Sequence, residues 1–329
     1  MYRKELLSII EKLPSAKILV VGDIIVDQYL EGEVDRISPE APVPIVNLKT
    51  GDKDLRLGGA ANVFNNLVSL GGKEIYLCGI IDPTDSAGKF LVNYLEEKHF
   101  ETNGLIVEDS RPTTVKTRIL SRGQQIIRLD KEEINDVNEN TKKQIFGYIE
   151  GKINNIDSII IADYEKGLLT SDLIEDITKI SNNNKLLLAV DPKFKNFRFY
   201  ENCTIITPNR KEASLFYGLE LKSKEEILET AAFIKKVLKC EEVLIKLSEK
   251  GMLFYSNEDN FYMPEAKAKN VYDVTGAGDT VIAALIMARV SGSSWKQSVD
   301  LANYAAGIVV HERGTVTVNK ENLKEFINM

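Results

Sequence analysis

The sequence predicts an α/β fold in which a mainly parallel, doubly wound sheet is flanked by helices and accompanied by a small second β-sheet. Short apolar runs rich in β-branched residues alternate with helical-period segments of ten or more residues, as in successive βαβ units. Two stretches break this alternation and are β-rich themselves. With 329 residues, 43% of them hydrophobic and 28% charged, the chain has the composition of a globular protein that buries a substantial core.

The strand candidates are short apolar runs of the kind found in buried strands. They are Lys17 to Val21, Glu74 to Cys78, Ser158 to Ala162, Lys185 to Val190, Thr204 to Thr207 and Val243 to Lys246. The segments between them have apolar residues at helical spacing. They include Ala60 to Leu70, Ala87 to Lys98, Glu139 to Ile149 and Lys224 to Val237. This alternation favours a parallel sheet with helices on both faces.

Two stretches interrupt the order, at about Gln28 to Leu48 and about Thr113 to Leu129. The first contains three prolines, and in the second β-rich segments flank Ser121-Arg122-Gly123, which predicts a hairpin. Because neither stretch supplies a βαβ unit, we assign both to a small sheet that forms a lid over a site at the edge of the main sheet. Ordinary surface loops are the alternative. With no internal repeat or low-complexity linker, we expect a single domain over residues 1–329.

Charge and cysteine content restrict the class of function. The formal net charge is −7, which argues against a surface that grips nucleic acid or anionic membrane. Three cysteines far apart in the chain indicate neither a disulfide framework nor a Cys-x-x-Cys metal site. The N-terminal segment is amphipathic, and the apolar run Val281 to Ala288 is far below the roughly 18 residues of a membrane span. We therefore expect a cytoplasmic protein that acts on small molecules.

One segment carries the densest chemical signal, Asp273-Val274-Thr275-Gly276-Ala277-Gly278-Asp279-Thr280, directly before an apolar run. It predicts a glycine-rich turn that opens a buried helix, whose free N–H groups form an anion site suited to a transferring phosphoryl group. Asp279, at the same helix start, can accept a proton from an attacking hydroxyl. The alternative is a tight turn and a helix cap without chemistry.

Two distant motifs together identify a family resemblance. The chain has no Gly-x-x-x-x-Gly-Lys-Ser/Thr motif, and no Gly-x-Gly-x-x-Gly turn follows the first strand. It does have Leu57-Gly58-Gly59-Ala60-Ala61-Asn62-Val63, about two hundred residues before the 273–279 segment. With both motifs in that order, it resembles the ribokinase-like (PfkB) carbohydrate kinases from end to end. The resemblance implies a parallel-rich sheet with a β lid, and transfer of phosphate from ATP to a sugar with Mg²⁺ as a cofactor.

The resemblance also implies roles for individual residues. Asp279 matches the general base, and Gly276, Ala277 and Gly278 match the backbone anion hole. The sugar-hydroxyl contacts of the family match Asp27, Gly58, Gly59 and Asn62. Carboxylate and amide groups suit a polyol, and glycines admit a sugar ring against the backbone. A buried structural role for Asp27 is the alternative.

Metal sites are implied at two places. Asn209 and Glu212 match an Asn-x-x-Glu segment whose Glu is associated with magnesium and phosphate positioning, so Glu212 is an indirect Mg²⁺ residue. One helical turn can present both side chains on one side. A helix N-cap with Glu three residues later is the alternative for this spacing. Asp273 and Thr275 keep the residue types with which some relatives hold a monovalent cation, which makes K⁺ a candidate cofactor.

The remaining nucleotide candidates are Lys193, Ser248, Gly251 and Asn303. The segment from Lys246 to Gly251 falls where the family has a Thr-x-Gly-x-x-Gly turn; it departs from that pattern at Lys246 and Ser248 and retains Gly251. Asn303 lies where relatives meet the adenine. A surface asparagine is the alternative.

Finer similarity concerns the two lid segments and two segments outside the lid. Arg36 to Pro44, Thr117 to Asp130, Asp163 to Gly167 and Asp191 to Lys193 resemble segments of the bacterial D-glycero-β-D-manno-heptose 7-phosphate kinases. This implies phosphorylation at O1 to give heptose 1,7-bisphosphate, on the route to ADP-heptose for lipopolysaccharide. A phosphorylated substrate needs cations, and Lys116 and Arg118 share a strand face by parity. The candidate cations are Lys116, Arg118, Arg128 and Lys166, with simple solvated side chains as the alternative.

Two further expectations concern assembly and domain content. Exposed lid edges favour strand pairing between subunits, and relatives often dimerise this way, so we expect a homodimer through the lid. His99 and His311 are the only histidines, so the His-x-Gly-His segment of the nucleotidyltransferase often fused to this kinase is missing, and we expect a stand-alone kinase. The alternatives are another sugar kinase of the family, of the ribokinase or fructokinase type, and a non-catalytic sugar-binding relative.

Overall fold

The computed structural model describes residues 2–257, 260–267, 272–312 and 314–328, except for the side chains of 49–53. Its strands are β1 (Lys17–Gly22), β2 (Ile24–Ile37), β3 (Pro44–Gly59), β4 (Glu74–Ile80), β5 (Leu105–Ile106), β6 (Thr114–Ser121), β7 (Gln124–Lys131), β8 (Ser158–Ala162), β9 (Leu187–Asp191), β10 (Ile205–Ile206), β11 (Glu242–Lys246), β12 (Met252–Asn257) and β13 (Asn260–Tyr262). Its helices are α1 (Tyr2–Lys12), α2 (Ala60–Ser69), α3 (Ser86–Glu97), α4 (Glu139–Lys152), α5 (Ser171–Asn183), α6 (Arg210–Tyr217), α7 (Lys224–Leu238), α8 (Ala277–Val290), α9 (Trp295–Val309) and α10 (Lys320–Asn328).

The larger sheet has nine strands in the order β13-β12-β11-β10-β9-β8-β1-β4-β5. Neighbouring strands are parallel from β11 through β5, whereas β12 and β13 are added antiparallel at one edge. From β1 the chain first builds one side of the sheet, with β4 and β5, and then returns to build the other from β8 onward. The prediction of a mainly parallel, doubly wound sheet is confirmed.

Helices cover both faces of this sheet. Successive residues of a strand point to opposite faces, so Ile18 and Val20 of β1 join one core while Leu19 and Val21 join the other. The first core packs against α1, α2, α3, α8, α9 and α10, and the second against α4, α5, α6 and α7. Helix α8 is buried on every side from Asp279 to Ala288, which explains its uniformly apolar sequence. In the described ranges, no helix combines the length and apolar character that crossing a bilayer requires.

The second sheet has four strands in the order β3-β2-β6-β7 and confirms the small sheet predicted from the two β-rich stretches. Strands β6 and β7 form the predicted hairpin, whose loop residues Arg122 and Gly123 have φ of 48° and 85°, as in a two-residue type I′ turn. Strands β2 and β3 begin and end outside the stretch 28–48, at Ile24 and Gly59. The parallel pairing of β2 with β6 was not predicted.

Candidate active site

Polar side chains from four strands of the main sheet meet at one edge. Asp23 follows β1, Tyr164 follows β8, Asp191 ends β9 and Lys246 ends β11. Because these strands are parallel, their carboxyl ends lie at the same edge, the usual place for ligands in open α/β sheets. The start of α8 lies against this edge, where Gly278 faces Lys246 and Asp191.

Asp279 is the third residue of α8, and two donors hold its buried carboxylate. Oδ2 accepts a hydrogen bond from Nδ2 of Asn62 at 2.7 Å, and Oδ1 accepts one from the hydroxyl of Tyr164. Asn62 belongs to α2, whereas Tyr164 lies in the loop after β8. Since each carboxylate oxygen has two lone pairs, both oxygens can accept one bond more. The carboxylate is thus oriented and still able to receive a substrate hydroxyl.

The pKa of Asp279 is raised. Burial raises it to about 6, and the nearby carboxylate of Asp191 acts in the same direction. The hydrogen bonds from Tyr164 and Asn62 and the charge of Lys246 oppose this shift, because they favour the ionised form. With a pKa of about 6, the carboxylate is mostly ionised at neutral pH and can act as a proton acceptor.

The turn before α8 needs its glycines. Gly276 has φ of 78°, and a Cβ added there would lie 2.8 Å from Nδ2 of Asn62. A Cβ on Gly278 would lie 3.2 Å from Nζ of Lys246. Of the predicted anion hole, the N–H of Ala277 donates to the carbonyl of Val274 at 3.2 Å, so it is used inside the turn. The N–H of Gly278, in the first helical turn, has no partner within the helix.

A cavity of about 910 Å³ opens beside this turn. Its lining includes the start of α8 and most predicted nucleotide residues: Gly276, Ala277, Gly278, Asp279, Lys193, Asn209, Ser248, Gly251 and Asn303. Gly251 has φ of 82°, and a Cβ there would lie 2.1 Å from the carbonyl oxygen of Pro264, so glycine is required. The amide of Asn303 donates to the carbonyl of Glu265 at 2.7 Å. One cavity therefore joins the predicted base to the predicted nucleotide residues.

Asn209 and Glu212 form a capping box at the start of α6. Glu212 N–H donates to Oδ1 of Asn209 at 2.9 Å, and Asn209 N–H donates to Oε2 of Glu212 at 2.8 Å. Oε1 of Glu212 is paired with Lys193. The structure thus contains the cap that was the alternative interpretation of this spacing, and the magnesium role stays a prediction. No group of three His, Cys, Asp or Glu residues within the described chain is arranged to hold a metal ion directly.

The other predicted cation residues also have partners. Oδ1 of Asp273 accepts from the N–H and hydroxyl of Thr275 at 2.9 and 2.7 Å, and Oδ2 accepts from the N–H of Gly314 at 2.9 Å. Although burial acts the other way, these hydrogen bonds lower the pKa of Asp273. Asp273 thus organises the turn that leads to α8, and the potassium role stays a prediction.

The predicted sugar residues lie where the small sheet meets α2. Oδ1 of the buried Asp27 accepts from Arg118 at 2.5 Å. A Cβ on Gly58 would lie 2.7 Å from Oδ2 of Asp27, and one on Gly59 would lie 2.4 Å from the carbonyl oxygen of Asp23. The two glycines therefore make room for parts of the protein itself. Asn62 was predicted to contact the sugar, and its amide donates to Asp279 here.

All four cations predicted to bind the substrate phosphate have carboxylate partners. Arg118 pairs with Asp27, Lys116 with Asp130 and Glu132, Arg128 with Asp130, and Lys166 with Glu132. Strand register places Asp27, Lys116 and Asp130 side by side across β2, β6 and β7. Two residues further along the same face, Arg118 of β6 lies beside Arg128 of β7. Parity therefore put Lys116 and Arg118 on one face correctly. That face is a network of alternating charges.

Comparison with known proteins identifies the family. Residues 15–322 match the family model described as pfkB family carbohydrate kinase. The chain belongs to this family. It is a sugar kinase, in agreement with the prediction from the two motifs.

Curated relatives of this kinase include the bifunctional protein HldE. That of Helicobacter pylori strain G27 is 40% identical over 312 residues, which cover 95% of this chain and 66% of the relative. That of Desulfatibacillum aliphaticivorans is 41% identical over 310 residues, which cover 94% of this chain and 63% of the relative. The chain thus spans about two thirds of the length of these relatives.

Solved structures show the fold of the kinase. Arabidopsis thaliana ribokinase complexed with ribose and ATP superimposes with a TM-score of 0.75 at 20% identity, covering 95% of this chain and 99% of that one. Escherichia coli phosphofructokinase-2 in complex with potassium gives a TM-score of 0.77 at 17% identity, covering 95% and 98%. The kinase therefore has the ribokinase-like fold that the resemblance implied.

Four polar residues at the carboxyl edge of the main sheet, Asp23, Tyr164, Asp191 and Lys246, were not among the predicted site residues. Tyr164 and Asp191 were noted only within segments resembling other kinases, and Lys246 only as a departure from a family pattern. A signal was present, because each follows or ends a predicted strand of the parallel sheet, and such positions collect at the ligand-binding edge. Their contacts with Asp279 and with each other could not be predicted from spacing.

Proposed function

We propose that this kinase transfers the γ-phosphoryl group of ATP to O1 of D-glycero-β-D-manno-heptose 7-phosphate, in the cytoplasm. The product is heptose 1,7-bisphosphate, on the route to ADP-heptose for lipopolysaccharide. One observation carries the chemistry: the buried, doubly hydrogen-bonded carboxylate of Asp279 stands at a helix N-terminus beside a cavity of about 910 Å³. The choice of heptose is supported by lid segments that resemble heptose 7-phosphate kinases.

The geometry supports a direct transfer. The O1 hydroxyl of the sugar donates its proton to Asp279 as O1 attacks the γ-phosphorus and the bond to ADP breaks. The N–H groups at the start of α8 and the ammonium of Lys193 face the cavity and stabilise the phosphate charge. Magnesium bound with ATP supplies further charge neutralisation. Because both oxygens of Glu212 are engaged, this residue would act on the metal through water.

Two lysines that meet between the small sheet and the loop after β8 support an acceptor that already carries a phosphate. Lys116 and Lys166 share Glu132, at 3.5 and 2.9 Å from its oxygens. A bound phosphate carries more charge than one carboxylate and can replace Glu132 as their partner. An unphosphorylated sugar offers these lysines no such partner, which favours heptose 7-phosphate over ribose or fructose.

A substrate panel tests the proposal. With ATP and magnesium, we expect kcat/KM for heptose 7-phosphate to exceed that for the unphosphorylated sugars ribose and fructose by about 100-fold or more, since a charged pairing shielded from water contributes several kcal/mol. We also expect it to exceed kcat/KM for hexose phosphates, a comparison that tests the sugar and not the phosphate. Phosphorus NMR of the product should then place the added phosphate at O1. A preference for an unphosphorylated sugar would contradict the heptose assignment and favour the ribokinase or fructokinase type.

We also propose that potassium binds at Asp273 and Thr275, in the turn that leads to α8. In support, the carboxylate of Asp273 organises this turn through its bonds to Thr275 and Gly314, and a cation bound beside it would stabilise its negative charge. We expect higher activity in KCl than in a tetramethylammonium salt of equal ionic strength. Equal activity in the two salts would exclude this site.

We propose, finally, a homodimer through the lid. The face of the small sheet opposite Asp27 carries Leu30, Ile119, Ile127 and Leu129 at alternating positions. Ile127 and Leu129 are 49% and 51% exposed, which is unusual for adjacent apolar side chains on a sheet. A second lid laid against this face would remove the apolar surface from water.

A further inference from the structure

We propose that Lys246 binds the phosphoryl group during transfer, and that Asp191 holds the lysine in place while the site is empty. The inference deepens the proposed function of the same site and rests on it.

The position of Lys246 places its ammonium at the anion site. The residue ends β11 and lines the cavity, and its side chain is only 15% exposed. Nζ lies 3.2 Å from the point that a Cβ on Gly278 would occupy. Gly278 is the second residue of α8, so the ammonium lies against the first helical turn, one residue before Asp279. A larger residue at position 278 would displace it.

An ammonium group that faces a helix N-terminus is electrostatically unfavourable unless an anion lies beside it. Helix N-termini are the positive ends of helix dipoles and stabilise anions, whereas cations are stabilised at C-termini. Here an ammonium with little access to water faces such an N-terminus. Asp191 offsets the charge by accepting a bond from Lys246 at Oδ1, and the hydroxyl of Thr207 donates to the same oxygen at 3.1 Å. A phosphoryl group between the helix start and the ammonium would be stabilised by both.

The second lysine of the site is arranged in a similar way. Lys193 lines the same cavity and is paired with Glu212, and its ammonium lies 5.5 Å from the ring centre of Tyr164. Each lysine therefore has its own carboxylate on the protein. The carboxylates hold both ammonium groups in place before ATP arrives.

The chemical role of Lys246 is that of a hydrogen-bond donor that keeps its proton. In the transfer, the bond from the γ-phosphorus to the ADP oxygen breaks and the bond to the sugar O1 forms, while the O1 proton passes to Asp279. Lys246 donates N–H to the oxygens of the moving group, whose charge is greatest in the transition state. Its contribution therefore falls mainly on kcat.

The test compares Lys246→Met with Lys142→Met. Lys142 is not among the residues that line the cavity, and its side chain is 14% exposed against 15% for Lys246. It forms ion pairs with Asp172 and Glu139, which are more exposed than Asp191, so it controls for loss of a lysine of similar burial. We expect Lys246→Met to lower kcat about 100-fold, as loss of one preorganised donor does elsewhere, with sugar KM within about threefold. Lys142→Met should leave kcat within about twofold.

Two readouts separate phosphate binding from a structural role. By calorimetry, Lys246→Met should raise the Kd of a non-hydrolysable ATP analogue about tenfold and the Kd of ADP less than twofold, because only the analogue has a γ-phosphate. In Lys246→Met the carboxylate of Asp191 loses its lysine partner. The double variant Asp191→Asn with Lys246→Met removes that unpaired charge, and its kcat should stay as low as in the single variant because the phosphate-binding ammonium is still missing. An equal loss of affinity for both nucleotides, or recovery of kcat in the double variant, would overturn the proposal. Since nucleotide binding is measured without sugar, a wrong heptose assignment would leave this test valid.

Discussion

Removing the hydroxyl of Tyr164 should move the acid limb of the pH–rate profile. The hydroxyl donates to Oδ1 of Asp279 and favours the ionised carboxylate, so its loss raises the pKa of Asp279. Tyr164→Phe keeps the ring and its packing. The expected result is a kinase that is nearly normal in alkaline solution and deficient in mildly acidic solution.

The size of the shift follows from the energy of the bond. A hydrogen bond to a charged group contributes about 1.5–3 kcal/mol, and one pKa unit corresponds to about 1.36 kcal/mol. Asn62 still donates to Oδ2 and water can replace part of the lost bond, so we expect about one unit. The pKa of about 6 would then become about 7. At pH 6 the ionised fraction falls from about one half to about one tenth, or about fivefold in kcat/KM.

The assay is kcat/KM measured from pH 5 to 9 in a constant-ionic-strength buffer. Tyr200→Phe is the matched control, because the Tyr200 hydroxyl donates at 2.7 Å to Asp163, another buried carboxylate that does not contact Asp279. It should lower thermal stability and leave the acid limb near 6. An acid limb that stays near 6 in Tyr164→Phe, or moves equally in both variants, would refute the reasoning.

Three further predictions concern the base, the turn and the lid. Asp279→Asn should lower turnover about 10²–10⁴-fold with sugar affinity within about threefold, and near-normal turnover would show that Asp279 is not the base. Gly276→Ala and Gly292→Ala both place a side chain at positive φ, but only the Cβ at 276 meets Asn62, at 2.8 Å. Gly276→Ala should therefore lower both activity and melting temperature more than Gly292→Ala does. Equal losses in the two variants would contradict this. Leu129→Asp should give a monomer by analytical ultracentrifugation if the lid forms the dimer, and an unchanged dimer mass would exclude that face.

Local sequence signals predicted the parallel part of the main sheet and the β6–β7 hairpin, but not the pairing of β2 with β6. Strand periodicity found β1, β8 and β11 within one residue, because buried strands are short, apolar and β-branched. Errors arose where the backbone turns: Lys185 has φ of 56°, so β9 begins at Leu187 and not at Lys185. The run at 273–279 predicted the start of α8 because glycine and a capping geometry act over a few residues.

The site depended on contacts that spacing does not specify. Tyr164 meets Asp279 across 115 positions and Asn62 meets it across 217, because strand order and helix packing bring three separate segments together. The raised pKa of Asp279 comes mainly from burial, which is a property of the packed molecule. For the same reason the sequence identified Lys116 and Arg118 as cations on one face but not their carboxylate partners. Residue types and local geometry are thus encoded in short segments, whereas the distances and the solvent exclusion that set their chemistry arise only when the segments pack.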